Sequence, residues 1–280
     1  MPNILYPPPR PQSVGEILDS AFRIFRATLL KCLPYATIAV IASQLPNIYY
    51  LATGRGAVAR IPALIHDPVW WTLYVLGYLI AVVLWSAVLL RQYAIATGRP
   101  VATGAELATG LRRLPGMVLL GILTSLAVVV WILPAFALHG AARFWSMALL
   151  LIPACYVAVA LSCGWTVLLV TGKGAVASMS QSWHLTSGSW WRLTLIYSVA
   201  LVLLLVLYSL SGLIAGILAV LLSHGDIAVI TAATTVLVVI LSAVGTPFYW
   251  ALALAVLGDL TARREGADLA QRLSAAPATP

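Results

Sequence analysis

Six stretches of this chain carry no Asp, Glu, Lys or Arg: residues 32–54, 68–90, 114–142, 144–172, 193–225 and 227–258. Each exceeds the roughly 20 apolar residues that an α-helix needs to cross the hydrocarbon core of a bilayer. At 62% hydrophobic and 9% charged residues, the chain is no soluble globular protein, a class that averages about 25% charged. The expected fold is all-α: a polytopic membrane protein of six transmembrane helices paired as three helical hairpins, with amphipathic interfacial helices on the cytoplasmic side. The spans are placed at about 32–52, 69–92, 115–138, 145–171, 193–222 and 228–258, in one membrane domain covering 30–258. A Pro-rich cytoplasmic segment 1–12, an interfacial helix 13–28 and a cytoplasmic tail 259–280 complete the chain. No connector reaches the roughly 50 residues of an independent domain, so function is expected in the bundle or on its rims.

Alternate connectors divide the 16 Lys and Arg residues unevenly. Arg10, Arg23, Arg26, Lys31, Arg91, Arg99, Arg112, Arg113, Lys173, Arg192, Arg263, Arg264 and Arg272 fall on one side; only Arg55, Arg60 and Arg143 fall on the other. The positive-inside rule places the first side, with both termini, in the cytoplasm. Tyr49, Tyr50, Trp70, Trp71 and Trp145 mark the outer interface, and Trp190 and Trp191 the inner one, as amphipathic rings prefer the headgroup level. The net charge of +8 is therefore read as topology, and no nucleic-acid partner is expected. Arginine far outnumbers lysine, which points to a GC-rich bacterial genome and so to the bacterial inner membrane. Cys155 and Cys163 lie eight residues apart, about 12 Å along a helix and too far for a disulfide. With Cys32 they are read as packing residues.

Ser13-Val14-Gly15-Glu16 is a capping box, the signature of a helix start. It is followed by an apolar face of Val14, Ile17, Leu18, Ala21 and Phe25 and by Asp19 and Arg23 at an i,i+4 spacing that suits an ion pair. Thr103-Gly104-Ala105-Glu106 repeats the box, with Leu107, Leu111 and Leu114 behind it. Residues 174–187 form a third candidate, with Val176, Met179 and Trp183 in a stripe. Each precedes an odd-numbered span, which suggests a threefold unit of interfacial helix, span, outer connector and span.

Residues 10–23 (Arg10-Pro11-Gln12-Ser13-Val14-Gly15-Glu16-Ile17-Leu18-Asp19-Ser20-Ala21-Phe22-Arg23) resemble the N-terminal signature of a membrane-domain family found fused to some glycerophosphoryl diester phosphodiesterases. Ser182-Trp183-His184-Leu185-Thr186-Ser187-Gly188, with Trp190 and Trp191, resembles its pre-span motif. Residues 259–269 resemble its C-terminal end, although Gly258 stands where an aromatic residue is common. The resemblance implies a six-span bacterial membrane protein. Phosphodiesterase activity does not carry over with it, because that chemistry belongs to a separate barrel of about 250 residues.

Candidate sites are few. His66 beside Asp67, His139, and His224 near Asp226 converge on the outer rim, and imidazole and carboxylate are competent metal ligands. Their spacing matches no familiar metal motif, so helix capping and contact with water are the preferred reading, and no metal or cofactor is expected. Charged residues are absent from the middle of every span, which argues against a proton-coupled transporter. Gln44 and Asn47 are read as bonding neighbouring helices, and Gly212-Leu213-Ile214-Ala215-Gly216, like Gly121 with Ser125, as close packing within the chain. Pro34, Pro46, Pro134, Pro153 and Pro247 are sites where helices can kink or break. Catalytic motifs of the familiar kinds are missing, so an enzyme is not expected.

The functional expectation is a non-catalytic membrane module that binds membrane lipids or a protein partner at its cytoplasmic rim. The contact candidates are Arg23, Arg26, Arg112, Arg113, Trp183, Trp190, Trp191 and Arg192. Setting topology alone would place the same arginines equally well. The alternative is a transporter or translocator of small molecules or lipids that uses a cavity between the hairpins. Homo-oligomerisation is left open.

Overall fold

A computed structural model of the chain describes residues 5–53, 67–223 and 227–275. Its helices are α1 (Val14–Ser43), α2 (Leu45–Ala52), α3 (Pro68–Ala96), α4 (Thr103–Ile132), α5 (Gly140–Ala160), α6 (Gly164–Thr171), α7 (Ala175–Thr186), α8 (Trp190–Ser223) and α9 (Ile227–Ala275). A 3-10 turn, Leu133–Ala137, prolongs α4. Six segments are long and apolar enough to cross a bilayer: Val14–Ser43, Pro68–Ala96, Thr103–Ala137, Ala142–Thr171, Trp190–Leu218 and Thr235–Arg264. The protein is a polytopic membrane protein.

α1 is the central element, packed along both α3 and α9. The 30-residue α1 is about 45 Å long, so the amphipathic segment expected as a separate interfacial helix over 13–28 instead continues into the first span. The Ser13 box forms as expected: Glu16 N–H donates to Ser13 Oγ at 3.3 Å, and Ser13 N–H to Glu16 Oε2 at 2.7 Å. The Thr103 box does not form. Helix α4 begins after Ala102 without a side-chain cap, because Arg91 takes both members of the box, bonding Glu106 and Thr103 Oγ1. The Asp19–Arg23 ion pair is also absent among the described residues; Arg23 reaches Ser20 Oγ instead, at 3.4 Å.

The third amphipathic segment is a separate helix, α7, and Met179 of its apolar stripe packs against the core. Val176 and Trp183 point outward, while Ser178, Ser182 and Thr186 are buried. The reason lies in the fourth span, which breaks at residues 161–163 between α5 and α6 with no proline at the break. The Ala160 carbonyl accepts hydrogen bonds from Ser182 Oγ (2.9 Å) and Thr186 Oγ1 (3.0 Å). A carbonyl released from its helix must be satisfied inside a membrane protein, and α7 supplies the hydroxyls.

Pro34, Pro153 and Pro247 sit inside continuous helices. Pro46, lacking an amide, has no i→i−4 bond to give the Ala42 carbonyl, and the chain breaks between α1 and α2 at Gln44. Gln44 and Asn47 bond each other across that break, Asn47 Nδ2 to Gln44 Oε1 at 2.6 Å, rather than bonding a neighbouring helix as expected. At the same level α3 packs tightly on α1 at Gly77, where a Cβ would stand 2.1 Å from the Ala42 oxygen. Gly121 packs within the chain against Trp165. Gly212 and Gly216 do not: a Cβ at either meets nothing within 4 Å, and α8 leaves Leu213, Ile214 and Leu221 exposed.

Candidate functional site

Two regions combine polar chemistry with access to a ligand. One is the rim where α1, α4, α7 and α8 begin, the basic rim; the other is a cavity among α1, α3, α8 and α9.

The N-terminal segment lies across the basic rim as a strap. Leu5 and Tyr6 N–H groups donate to the Ala96 carbonyl at the end of α3 (2.8 and 3.1 Å), and the Tyr6 ring packs on Tyr93. Gly258 leaves the space that Tyr6 and Pro8 fill; a Cβ there would meet both rings within 2.8 Å. Beyond it, Asp259 forms an ionic hub. Its buried carboxylate accepts from Arg192 (2.8 Å), from Arg263 Nε (3.0 Å) and from the Gln12 amide (2.7 Å). The Gln12 carbonyl accepts from Arg263 at 2.8 Å and from Arg192. One carboxylate thereby joins the strap, α8 and α9.

A second hub centres on Arg91, which pairs with Glu106 (2.8 Å) and donates to the Lys31 carbonyl, Tyr35 Oη and Thr103 Oγ1. Arg113 donates to the carbonyls of Leu168 (3.2 Å) and Leu169, placing a cation at the C-terminus of α6, where the helix dipole favours it. Arg264 does the same for α7 through the His184 and Ser187 carbonyls, both at 2.7 Å.

The rim candidates therefore separate into two groups. Arg113 and Arg192 are turned inward as structural cations. Arg26 and Arg112 are exposed and make no hydrogen bond or ion pair among the described residues, and Arg23 makes only its contact with Ser20. Trp190 stacks on Tyr156 at 5.2 Å and donates from Nε1 to its carbonyl. Trp183 meets the same tyrosine edge-on, whereas Trp191 is 80% exposed. Phe22 is exposed beside Asp19, Arg23 and Arg26, and the four line an open groove of about 490 Å³.

On the opposite rim Asp67 caps α3, accepting from the Val69 and Trp70 amides at 3.0 and 3.3 Å. His139 is the exposed residue before α5, and its side chain makes no capping bond. His66, His224 and Asp226 lie outside the described residues. Among the described residues no three His, Cys, Asp or Glu side chains cluster.

The cavity is an open cleft of about 420 Å³, within the range of small-molecule sites. Ser43 and Gln44 line it at the α1–α2 break, Trp85 from α3, Tyr208 from α8, and Ser242, Thr246 and Tyr249 from α9. Tyr208 and Tyr249 lie near the middle of the spans Trp190–Leu218 and Thr235–Arg264. Trp85 Nε1 is buried and has no hydrogen-bond partner among the described residues. On the same helix the fully buried Gln92 donates to the Pro247 carbonyl at 2.7 Å, tying α3 to α9. Arg91, Gln92 and the bonds of Asp259 to Arg192 and Gln12 escape sequence reasoning because those partners lie 12 or more residues away in the chain. The i,i+4 spacing of Asp259 and Arg263 was the signal available in the sequence for this hub.

No family model, curated protein or solved structure matches the chain.

Proposed function

We propose that the protein is a non-catalytic module of the bacterial inner membrane that holds anionic lipid headgroups at its basic rim, with that rim and both termini in the cytoplasm. The observation that carries this reading is the sorting of the arginines. Arg91, Arg113, Arg192, Arg263 and Arg264 bond carboxylates or carbonyls of other elements, while Arg23, Arg26 and Arg112 are exposed and make no such bond among the described residues. Exposed Phe22 and Trp191 stand at the same rim, where aromatic residues favour the headgroup level. Each basic residue near an anionic leaflet gains about 1 kcal/mol. The resemblance of residues 10–23, 182–191 and 259–269 to the membrane-domain family is consistent with a membrane module that lacks phosphodiesterase chemistry.

The test is quantitative lipid mass spectrometry of gently purified protein, wild type against the triple variant Arg23→Gln, Arg26→Gln and Arg112→Gln. Loss of co-purifying anionic lipid from the variant supports the reading; an unchanged lipid profile removes it.

A second reading, a translocator of a small molecule or lipid, is favoured by the mid-span cavity beside a broken helix, an arrangement shared with transporter sites. Its test is flux through proteoliposomes, which a rim-only lipid module would leave at the background rate.

A further inference from the structure

We propose that the groove lined by Asp19, Phe22, Arg23 and Arg26 takes an aminophospholipid headgroup, with its phosphate on the two arginines and its ammonium on Asp19 and the Phe22 ring. The inference rests on the rim reading, which gives lipid phosphate to Arg23 and Arg26, and it adds the headgroup class.

Steps of three and four residues along α1 link Asp19 to Phe22 and Arg23, and both of these to Arg26, so the four share one face of the helix. All four are exposed, and together they line an open groove of about 490 Å³. The fold leaves the charges on that face unused. The side chains of Asp19 and Arg26 make no hydrogen bond or ion pair among the described residues, and Arg23 makes only its 3.4 Å contact with Ser20. Asp19 precedes Arg23 by four residues, the spacing at which acid and base pair on a helix, yet the two stand apart. The groove therefore offers a ligand both signs of charge at once.

Asp19 decides the class. A carboxylate beside the two arginines weakens a groove meant for phosphate alone, because it repels the ligand. The same carboxylate attracts a headgroup that carries an ammonium, so it separates lipids by repulsion as well as attraction. Phe22 favours the same class. Its ring packs on Phe248 at 4.9 Å, which holds it in place, and an aromatic face attracts an ammonium. The guanidinium groups suit phosphate oxygens. Ethanolamine and serine headgroups carry both phosphate and ammonium; a glycerol headgroup carries phosphate alone.

The experiment titrates full-length protein in detergent with dioctanoyl phosphatidylethanolamine, phosphatidylserine and phosphatidylglycerol, separately, and reads bound lipid by native mass spectrometry. Wild type should hold the ethanolamine or the serine lipid roughly fivefold more tightly than the glycerol lipid, and whichever is preferred identifies the headgroup. Asp19→Asn should lose that preference, Asp19→Glu should keep it, and added salt of about 1 M should abolish it in wild type. No preference in wild type, or one that survives in Asp19→Asn, overturns the proposal. Should Asp19→Asn fail to fold, the salt series decides: a preference that persists at high salt overturns it. Arg23→Gln with Arg26→Gln reports the rim reading separately, since it should weaken all three lipids. If that variant binds all three as wild type does, the rim reading itself fails; if it weakens all three while wild type shows no preference, only the headgroup assignment fails.

Discussion

Arg192 and Asp259, 67 residues apart in the chain, meet at 2.8 Å, and the carboxylate of that pair is only 2% exposed. Asp259 also holds Arg263 and the Gln12 amide, so one acid closes the start of α8, the end of the last span and the N-terminal strap into a single unit. Removing one partner of a buried pair costs more than the pair itself contributes, because the remaining charges lose their counter-charge. Asp259→Ala is expected to destabilise the protein by about 3 kcal/mol and to release the strap. Thermal melting together with protease cleavage near residue 10 checks both effects. A variant with unchanged melting and an intact strap would show that the hub is ornamental.

Two glycine substitutions are expected to part company. Gly77→Ala places a methyl carbon 2.1 Å from the Ala42 oxygen, and backbone on both sides leaves no flexible atom to yield. The expected cost is about 1–3 kcal/mol. Gly212→Ala meets nothing within 4 Å and gains helix propensity, so its melting temperature should match or exceed wild type. Comparing the two melts in one detergent is sufficient.

The break between α5 and α6 rests on two hydroxyls from α7. Ser182→Ala with Thr186→Ala leaves the Ala160 carbonyl without either donor. Interhelical bonds of this kind contribute about 0.5–2 kcal/mol in membranes. The double variant should lose stability in that range, and hydrogen exchange around residues 160–164 should accelerate.

Inward and outward arginines should give opposite signatures. Arg113→Gln removes the cation from the carbonyls that end α6, so it should lower the melting temperature while anionic lipid stays bound. Arg112→Gln, one residue earlier and exposed, should leave the melting temperature in place and weaken lipid retention by about 1 kcal/mol. Measuring both quantities on both variants separates a structural cation from a lipid contact.

What the sequence discloses depends on how far each interaction reaches. The six spans are legible because the bilayer imposes one rule on every residue within them, and charge-free runs satisfy it visibly. The Ser13 box is legible because its partners stand three residues apart. The Thr103 box has the same letters and fails, since Arg91, twelve residues upstream, competes for Thr103 and Glu106. The burial of Ser182 and Thr186 on α7 is hidden for a similar reason: the Ala160 carbonyl they bond lies 22 and 26 residues away and is freed by the broken span. Gly212 and Gly216 mark a packing motif, yet a Cβ at either meets nothing within 4 Å among the described residues. Among the rim candidates, adjacent Arg112 and Arg113 carry identical side chains and take different roles, a distinction set by which one faces the end of α6.

The most direct test of the account is the sidedness of its connectors. In a variant without the native cysteines, Arg99→Cys, Lys173→Cys and His139→Cys would each be probed with a membrane-impermeant maleimide, first on intact spheroplasts and then after lysis. All three positions are exposed. The expected result is that His139→Cys reacts in intact spheroplasts, whereas Arg99→Cys and Lys173→Cys react only once the membrane is opened. Labelling of all three from the same side, or His139→Cys protected together with the other two, would contradict a six-span protein with its basic rim in the cytoplasm.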